Sequence, residues 1–150
     1  MPTKFSKQEQ NIIKAKLIKK AKDYFFQYGF TKTSVKELTD AAGISKGSFY
    51  SFFDSKEELF LEVMEEQGKF RNQLMAEILN EKLDAQGAIE RLFRETLKRI
   101  EENRILQIIY EENLIEKMVR KVPRERVEKH KKQDLKDGKR FIRTLQKNSN

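Results

Sequence analysis

Apolar side chains recur along most of this chain at intervals of three or four residues, which is the spacing of one face of an α-helix. No segment shows the strict alternation of apolar and polar residues that marks a half-buried strand. The chain contains only two prolines and six glycines, so few positions interrupt the helical pattern. We therefore predict an all-α fold of about seven helices.

The N-terminal third is predicted to form short helices separated by tight turns. A first helix covers residues 8–28, and Gly29 suits the left-handed position that often follows a helix end. Ser34–Glu37 has the Ser-x-x-Glu pattern of a capping box and opens a second helix. Gly43 ends that helix, and Ser45 can cap a third helix over residues 46–52.

Longer helices are predicted to follow. Ser55–Glu58 is a second capping box and opens a long fourth helix, and Asp84 can cap a fifth. Residues 105–119 carry so many apolar side chains that we predict a single sixth helix, buried on more than one side. Pro123 suits the start of a seventh helix, whose residues 124–147 contain few apolar positions.

The segment Ala41–Phe53, AAGISKGSFYSFF, combines a glycine turn with a short aromatic helix. Gly43 supplies the positive φ of the turn, and Phe49 and Phe53, four residues apart, share one buried face. A short helix, a turn and a second short helix form the helix-turn-helix motif, whose second helix enters the major groove of DNA. The exposed side of that helix would present Lys46, Gly47, Ser48 and Tyr50.

Composition and charge narrow the functional classes. Cysteine is absent and histidine occurs once, so disulfides, thiolate chemistry and multi-histidine metal sites are excluded. No apolar run is long enough to span a bilayer and residues 1–10 lack a signal-peptide core, so we expect a cytoplasmic protein without a membrane partner. Residues 1–56 carry 11 lysines and five acidic residues, which fits a polyanion-binding module or an ordinary solvated surface.

Residues 26–60 resemble the DNA-binding domain of TetR-family transcriptional repressors, with YGFTKTSVKELTDAAGISKGSFYSFFDSKEELF as the matching stretch. The resemblance implies a sequence-specific regulator, not an enzyme, that needs no cofactor or metal. It also implies a homodimeric repressor that a small-molecule effector releases from a palindromic operator. By position, the family's DNA contacts fall on Thr33, Ser34, Ser45, Lys46, Gly47, Ser48, Tyr50 and Lys56.

The resemblance implies phosphate contacts for three of these residues. Thr33 and Ser34 would hold a phosphate at the N-terminus of the second helix, and Lys56 would hold one at the start of the fourth. The chain departs from the family pattern at Thr39, Ser51 and Phe52. Since Phe52 cannot donate a hydrogen bond to phosphate, the register on the operator stays open.

The resemblance also implies two domains, a DNA-binding domain over residues 1–55 and an effector-binding and dimerisation domain over residues 56–150. The expected effector is apolar or cationic and amphiphilic. At most half of the candidate pocket residues are expected to touch it, and the others to pack in the core. The candidates are Val63, Phe70, Leu74, Phe93, Leu97, Ile109 and Met118.

Two alternatives and one departure remain. A basic helical protein acting on RNA or an anionic membrane is the main rival, based on the basic segment 120–147. An enzyme is disfavoured because no recognisable catalytic group is present.

The last two long helices usually form the family's dimer interface, yet residues 121–150 are strongly basic and poor in apolar positions. Either those helices are missing or the sixth and seventh replace them, so we expect a weak or non-standard dimer.

Overall fold

The computed structural model describes residues 5–149, and all regular structure in that range is helical. This confirms the predicted all-α class. Eight helices occur among the described residues: α1 Lys7–Tyr28, α2 Val35–Ala42, α3 Lys46–Phe49, α4 Lys56–Asn80, α5 Ala85–Glu102, α6 Arg104–Glu111, α7 Leu114–Lys121 and α8 Arg124–Asn148. None of these helices is both long and apolar enough to cross a membrane.

The predicted caps of the short helices are confirmed. At α2, the Ser34 hydroxyl accepts the Glu37 N–H at 3.1 Å while the Glu37 carboxylate accepts the Ser34 N–H at 2.8 Å. Gly43 follows α2 with φ of 73°, in the left-handed region that glycine enters at no steric cost. At α3, the Ser45 hydroxyl accepts the Ser48 N–H at 3.1 Å. The turn and both helix starts are therefore fixed by local sequence.

Two predicted helices differ from the structure. The third ends at Phe49 instead of residue 52, and residues 50–52 continue as a tight turn. The single sixth helix is wrong, because Asn113 adopts φ of 51° and separates α6 from α7. Asparagine enters the left-handed region more easily than most residues, and its side-chain amide here donates to Glu116 at 2.8 Å.

The described residues fold into two compact units, and α4 contributes to both. The first unit contains the described residues up to Met64 together with Ile105–Val122. In its core, the rings of Phe25, Phe30 and Phe60 lie with centroids 5.4–5.5 Å apart. Residues 105–122 thus pack with the N-terminal helices, so the unit does not end at the predicted boundary of residue 55. The functional division at that boundary stays a prediction.

The second unit contains Glu65–Arg104 and the described chain from Pro123 onward. Its apolar core joins Leu74 and Ile78 of α4, Ala88 of α5, and Phe141 and Leu145 of α8. Polar contacts also fasten α8 to α4. Arg126 binds Glu65 through two nitrogens, at 2.5 and 2.8 Å, and Arg71 binds Asp134 at 2.8 Å.

Candidate nucleic-acid interface

The α3 helix presents a polar outer face above a buried aromatic anchor. Phe49 is fully buried, and Phe53 lies beside it with ring centroids 5.7 Å apart. Tyr50 is 52% exposed, and its ring meets the Phe49 ring edge-on at 5.3 Å. Lys46 and Gly47 are exposed as well. The predicted orientation of this helix, with phenylalanines inward and Lys46 and Tyr50 outward, is what the structure shows.

Ser45, the cap of α3, and Ser48 within α3 are hydrogen-bonded to each other. The hydroxyls of Ser45 and Ser48 lie 2.8 Å apart, and the Ser45 hydroxyl already accepts the Ser48 N–H. Ser45 is exposed and Ser48 is half-buried. Ser45 therefore caps α3, and either hydroxyl keeps hydrogen-bonding capacity for a group outside the protein.

Thr33 does not lie on the surface that the resemblance implies. Its side chain is buried, and its hydroxyl donates to the Gly29 carbonyl at 2.7 Å. Its backbone N–H donates to the Phe30 carbonyl at 3.2 Å. Thr33 thus stabilises the turn between α1 and α2 and offers no free donor to a phosphate. The neighbouring Ser34 is exposed at the N-terminus of α2, the end of a helix that favours anions.

Lys56 also supports this turn. Its ammonium donates to the carbonyls of Phe30 and Thr33, each at 2.8 Å, and lies 4.2 Å from the centre of the Phe30 ring. Partial burial lowers the pKa of Lys56, although the charges of Glu57 and Glu112 act in the opposite direction. An ammonium has three N–H donors, and these two carbonyls use two of them.

Glu112, which lies more than 80 residues later in the sequence, also holds this turn. Its carboxylate accepts the N–H of Phe30 at 2.6 Å and of Thr31 at 3.0 Å. A Cβ at residue 29 would lie 3.3 Å from the carboxylate, so glycine there leaves room for it. Partial burial by itself would raise the pKa of Glu112, but the hydrogen bonds from Thr31 and Phe30 and the charge of Lys117 bring it below its ordinary value.

Sequence reasoning missed this role of Glu112. The bonded residues are more than 80 positions apart, and neither the helical spacing nor a capping motif marks the pair. The nearest signal in the sequence is Gly29, which marks the end of α1 and is also the place where the carboxylate fits.

The seven candidate effector residues divide between the two units. Val63, Ile109 and Met118 are buried in the first unit, so their packing there is structural. In the second unit, Leu74 lies in the core and Phe70 packs against it, whereas Phe93 and Leu97 are 66% and 45% exposed. Neither unit by itself gathers the set around one cavity, and the effector site stays a prediction.

Residues 17–63 match the family model described as bacterial regulatory proteins, tetR family. Residues 17–63 are therefore a TetR-family segment. The matched residues run from Leu17, in the middle of α1, to Val63, in the first turns of α4, and include all of α2 and α3. The TetR-family relatives of this chain are transcriptional regulators, not enzymes.

Relatives and solved structures of the TetR family extend the likeness. The transcriptional repressor KstR2 of Rhodococcus jostii is 30% identical over 106 residues, which cover 67% of this chain and 50% of that protein. A TetR-family transcriptional regulator from Mesorhizobium loti shares the fold with a TM-score of 0.62 at 22% identity, covering 92% of this chain and 70% of that one. A gamma-butyrolactone receptor shares it with a TM-score of 0.54 at 24% identity, covering 68% and 53%. The chain spans about half the length of KstR2.

Proposed function

We propose that this protein is a sequence-specific DNA-binding regulator of transcription and that α3 enters the major groove of its site. The observation that carries the proposal is the two-sided α3 helix. Phe49 anchors it in the core, while Lys46, Gly47 and Tyr50 are exposed. A lysine can reach a guanine edge or a phosphate, and a tyrosine ring can pack on a thymine methyl. The glycine allows the backbone to approach the groove closely.

Phosphate contacts around this helix would set its orientation. The N-terminus of α2 and the third N–H of Lys56 would make these contacts, with the Ser45 hydroxyl at the start of α3. The Ser34 hydroxyl itself donates to Glu37 at 3.0 Å. Phosphate contacts position a protein on the duplex but do not read its sequence. Sequence selectivity is therefore assigned to Lys46, Ser48 and Tyr50.

The direct test is selection of bound sequences from a pool of random duplexes, using the full chain. We expect one enriched motif, and Tyr50→Ala should weaken binding to it by about 1–3 kcal/mol while relaxing selectivity. Tyr110→Ala is the matched control, because Tyr110 is an exposed tyrosine of α6, outside the helix-turn-helix. Equal recovery of all sequences by the unmodified chain would refute the proposal.

A finer proposal concerns control by a ligand. The KstR2 relative is a repressor, and a receptor named for a small molecule shares the fold. We infer that this protein represses transcription as a homodimer on a palindromic operator until an effector binds. Two copies of α3 must then reach half-sites about 34–36 Å apart. Because α4 is continuous from Lys56 to Asn80, it links the interface to the residues around Phe70 and Leu74.

Calorimetric titration of candidate effectors, with and without operator, tests this coupling. Reciprocal linkage requires the effector to bind the operator-free protein more tightly, typically by 1–3 kcal/mol. Identical affinities in the two titrations would exclude release by that effector.

A further inference from the structure

The solvent-facing side of α8 carries a row of positively charged side chains. We define the basic stripe as Lys129, Lys132, Lys136, Lys139, Arg140, Arg143 and Lys147, all of which are exposed. At 100° per residue they fall within about 100° of one helix face, and the 18-residue interval spans about 27 Å. The buried side chains Phe141 and Leu145 lie on the opposite face.

Two acidic residues of α8, Glu125 and Glu128, lie at the N-terminal end of the stripe, and Glu128 pairs with Lys131 at 3.6 Å. Beyond them, the acidic residues of α8 do not lie on the face of the stripe. Between residues 129 and 147 they are Asp134 and Asp137, and both face α4. Asp134 binds Arg71 at 2.8 Å, and Asp137 accepts the amide of Asn72 at 3.1 Å. No cation of the stripe forms an ion pair with another residue between 5 and 149.

Such a row destabilises the isolated helix. Like charges four residues apart repel, and the stripe contains four such pairs, from Lys132–Lys136 to Arg143–Lys147. An ordinary solvated surface mixes charges of both signs, which removes this repulsion. A polyanion that lies along the helix would relieve the repulsion between the cations of the stripe.

We propose that the basic stripe is a second nucleic-acid contact surface, which binds the phosphates of duplex DNA without reading its sequence. A straight row of flexible cations fits a rigid polyanion that carries one charge per about 1.7 Å. Contacts of this kind supply affinity and salt dependence but no base recognition. The surface belongs to the second unit and acts independently of the groove contacts proposed for α3.

An anionic membrane fits the stripe less well. A helix that lies in a membrane interface inserts an apolar face, and on α8 that face is already buried in the core through Phe141 and Leu145. Leu135 and Ile142 are exposed, but they lie beside the stripe and not within it. A membrane in contact with the basic stripe would therefore meet mainly charged side chains and no continuous apolar face.

The test uses the full chain and a random-sequence duplex, with affinity measured between about 50 and 200 mM salt. The triple variant Lys132→Gln, Lys136→Gln, Arg143→Gln removes three stripe cations and keeps good helix formers in α8. Since each phosphate contact contributes about 0.9 to the slope of log affinity against log salt, we expect the slope to fall by up to about 3. Circular dichroism of the variant checks that α8 remains folded.

The matched control removes the same charge from scattered exposed positions of the second unit, with Lys69→Gln, Arg94→Gln and Lys98→Gln. This variant should keep the slope of the unmodified chain. Equal losses in the two triple variants would mean that net charge alone is responsible and would overturn the proposal.

Two further measurements separate the alternatives. Vesicles of phosphatidylcholine with phosphatidylserine should bind more weakly than the duplex, and tighter, stripe-dependent vesicle binding would overturn the assignment to nucleic acid. Tyr50→Ala should leave the salt slope on random duplex unchanged. A stripe-dependent slope without any sequence selectivity would support this inference while rejecting the function proposed for α3.

Discussion

At the scale of single residues, Phe49 and Tyr50 are neighbours in sequence but differ in their surroundings. Phe49 is fully buried, whereas half of Tyr50 is exposed. We expect Phe49→Ala to lower the free energy of unfolding by about 3–5 kcal/mol, because it empties a packed aromatic site. Tyr50→Ala should change stability much less and act on DNA affinity. Urea unfolding of both variants measures the difference, and equal destabilisation would show that Tyr50 is structural.

Glu112 gives a prediction for pH. Its pKa is lowered in the folded protein, so the unfolded chain binds a proton on this group at a higher pH than the folded one. The stability that Glu112 contributes is therefore complete above its ordinary pKa of 4.5 and is lost as pH falls through the lower folded value. Glu112→Gln should unfold more easily at neutral pH and lose less stability on acidification.

Thermal unfolding between neutral and acidic pH measures this effect. Glu77→Gln is a suitable control, because Glu77 is an exposed residue of α4 in the second unit. Its pH profile should follow that of the unmodified chain. Identical profiles for Glu112→Gln and the unmodified chain would contradict the role given to the carboxylate.

Residue roles were predictable where they depend on near neighbours. The caps of Ser34 and Ser45 and the exposure of Tyr50 follow from residues at most four positions away. The bonds of Lys56 do not, because the carbonyls that accept them lie 23 and 26 residues earlier. The Thr33 hydroxyl donates to Gly29, only four residues away, but no motif in the sequence marks that bond. The resemblance therefore implied phosphate contacts for both residues but could not show that their donors serve the fold.

At the scale of elements, the break between α6 and α7 is the main departure from the predicted fold. Apolar spacing continues across the break, so periodicity alone indicated one helix. The left-handed conformation of Asn113 allows Leu114 and Met118 to pack into the core after the chain has turned.

A substitution at Asn113 tests this explanation. We expect Asn113→Val to lower the free energy of unfolding by roughly 1–2 kcal/mol, because a β-branched residue is strained at φ of 51°. Asn113→Gly should be tolerated better, since glycine adopts positive φ without that strain. Chemical denaturation of the two variants provides the comparison. Equal stabilities would show that the conformation of this residue does not decide where α6 ends.

At the scale of the whole molecule, the charge of α8 bears on the homodimer proposed above. The basic stripe of α8 would repel its own copy, whereas the α5 side chains Ile89, Phe93 and Leu97 are exposed and apolar. We expect a weak dimer that dissociates at nanomolar concentration and forms on a palindromic duplex. Sedimentation across a wide concentration range measures this. A dimer that persists at nanomolar protein would show that the interface is stronger than the charge of α8 indicates.

The tie between Glu112 and the Phe30–Thr31 turn has a consequence for synthesis. The bonded groups are 82 and 81 residues apart in the chain, so the ribosome completes the helix-turn-helix segment long before its last partner is made. Until residue 112 emerges, those two N–H groups have only water to bond, and the apolar faces that α6 and α7 cover remain exposed. The first unit thus reaches its full stability late in translation. Until then, its exposed apolar surfaces are accessible to chaperones.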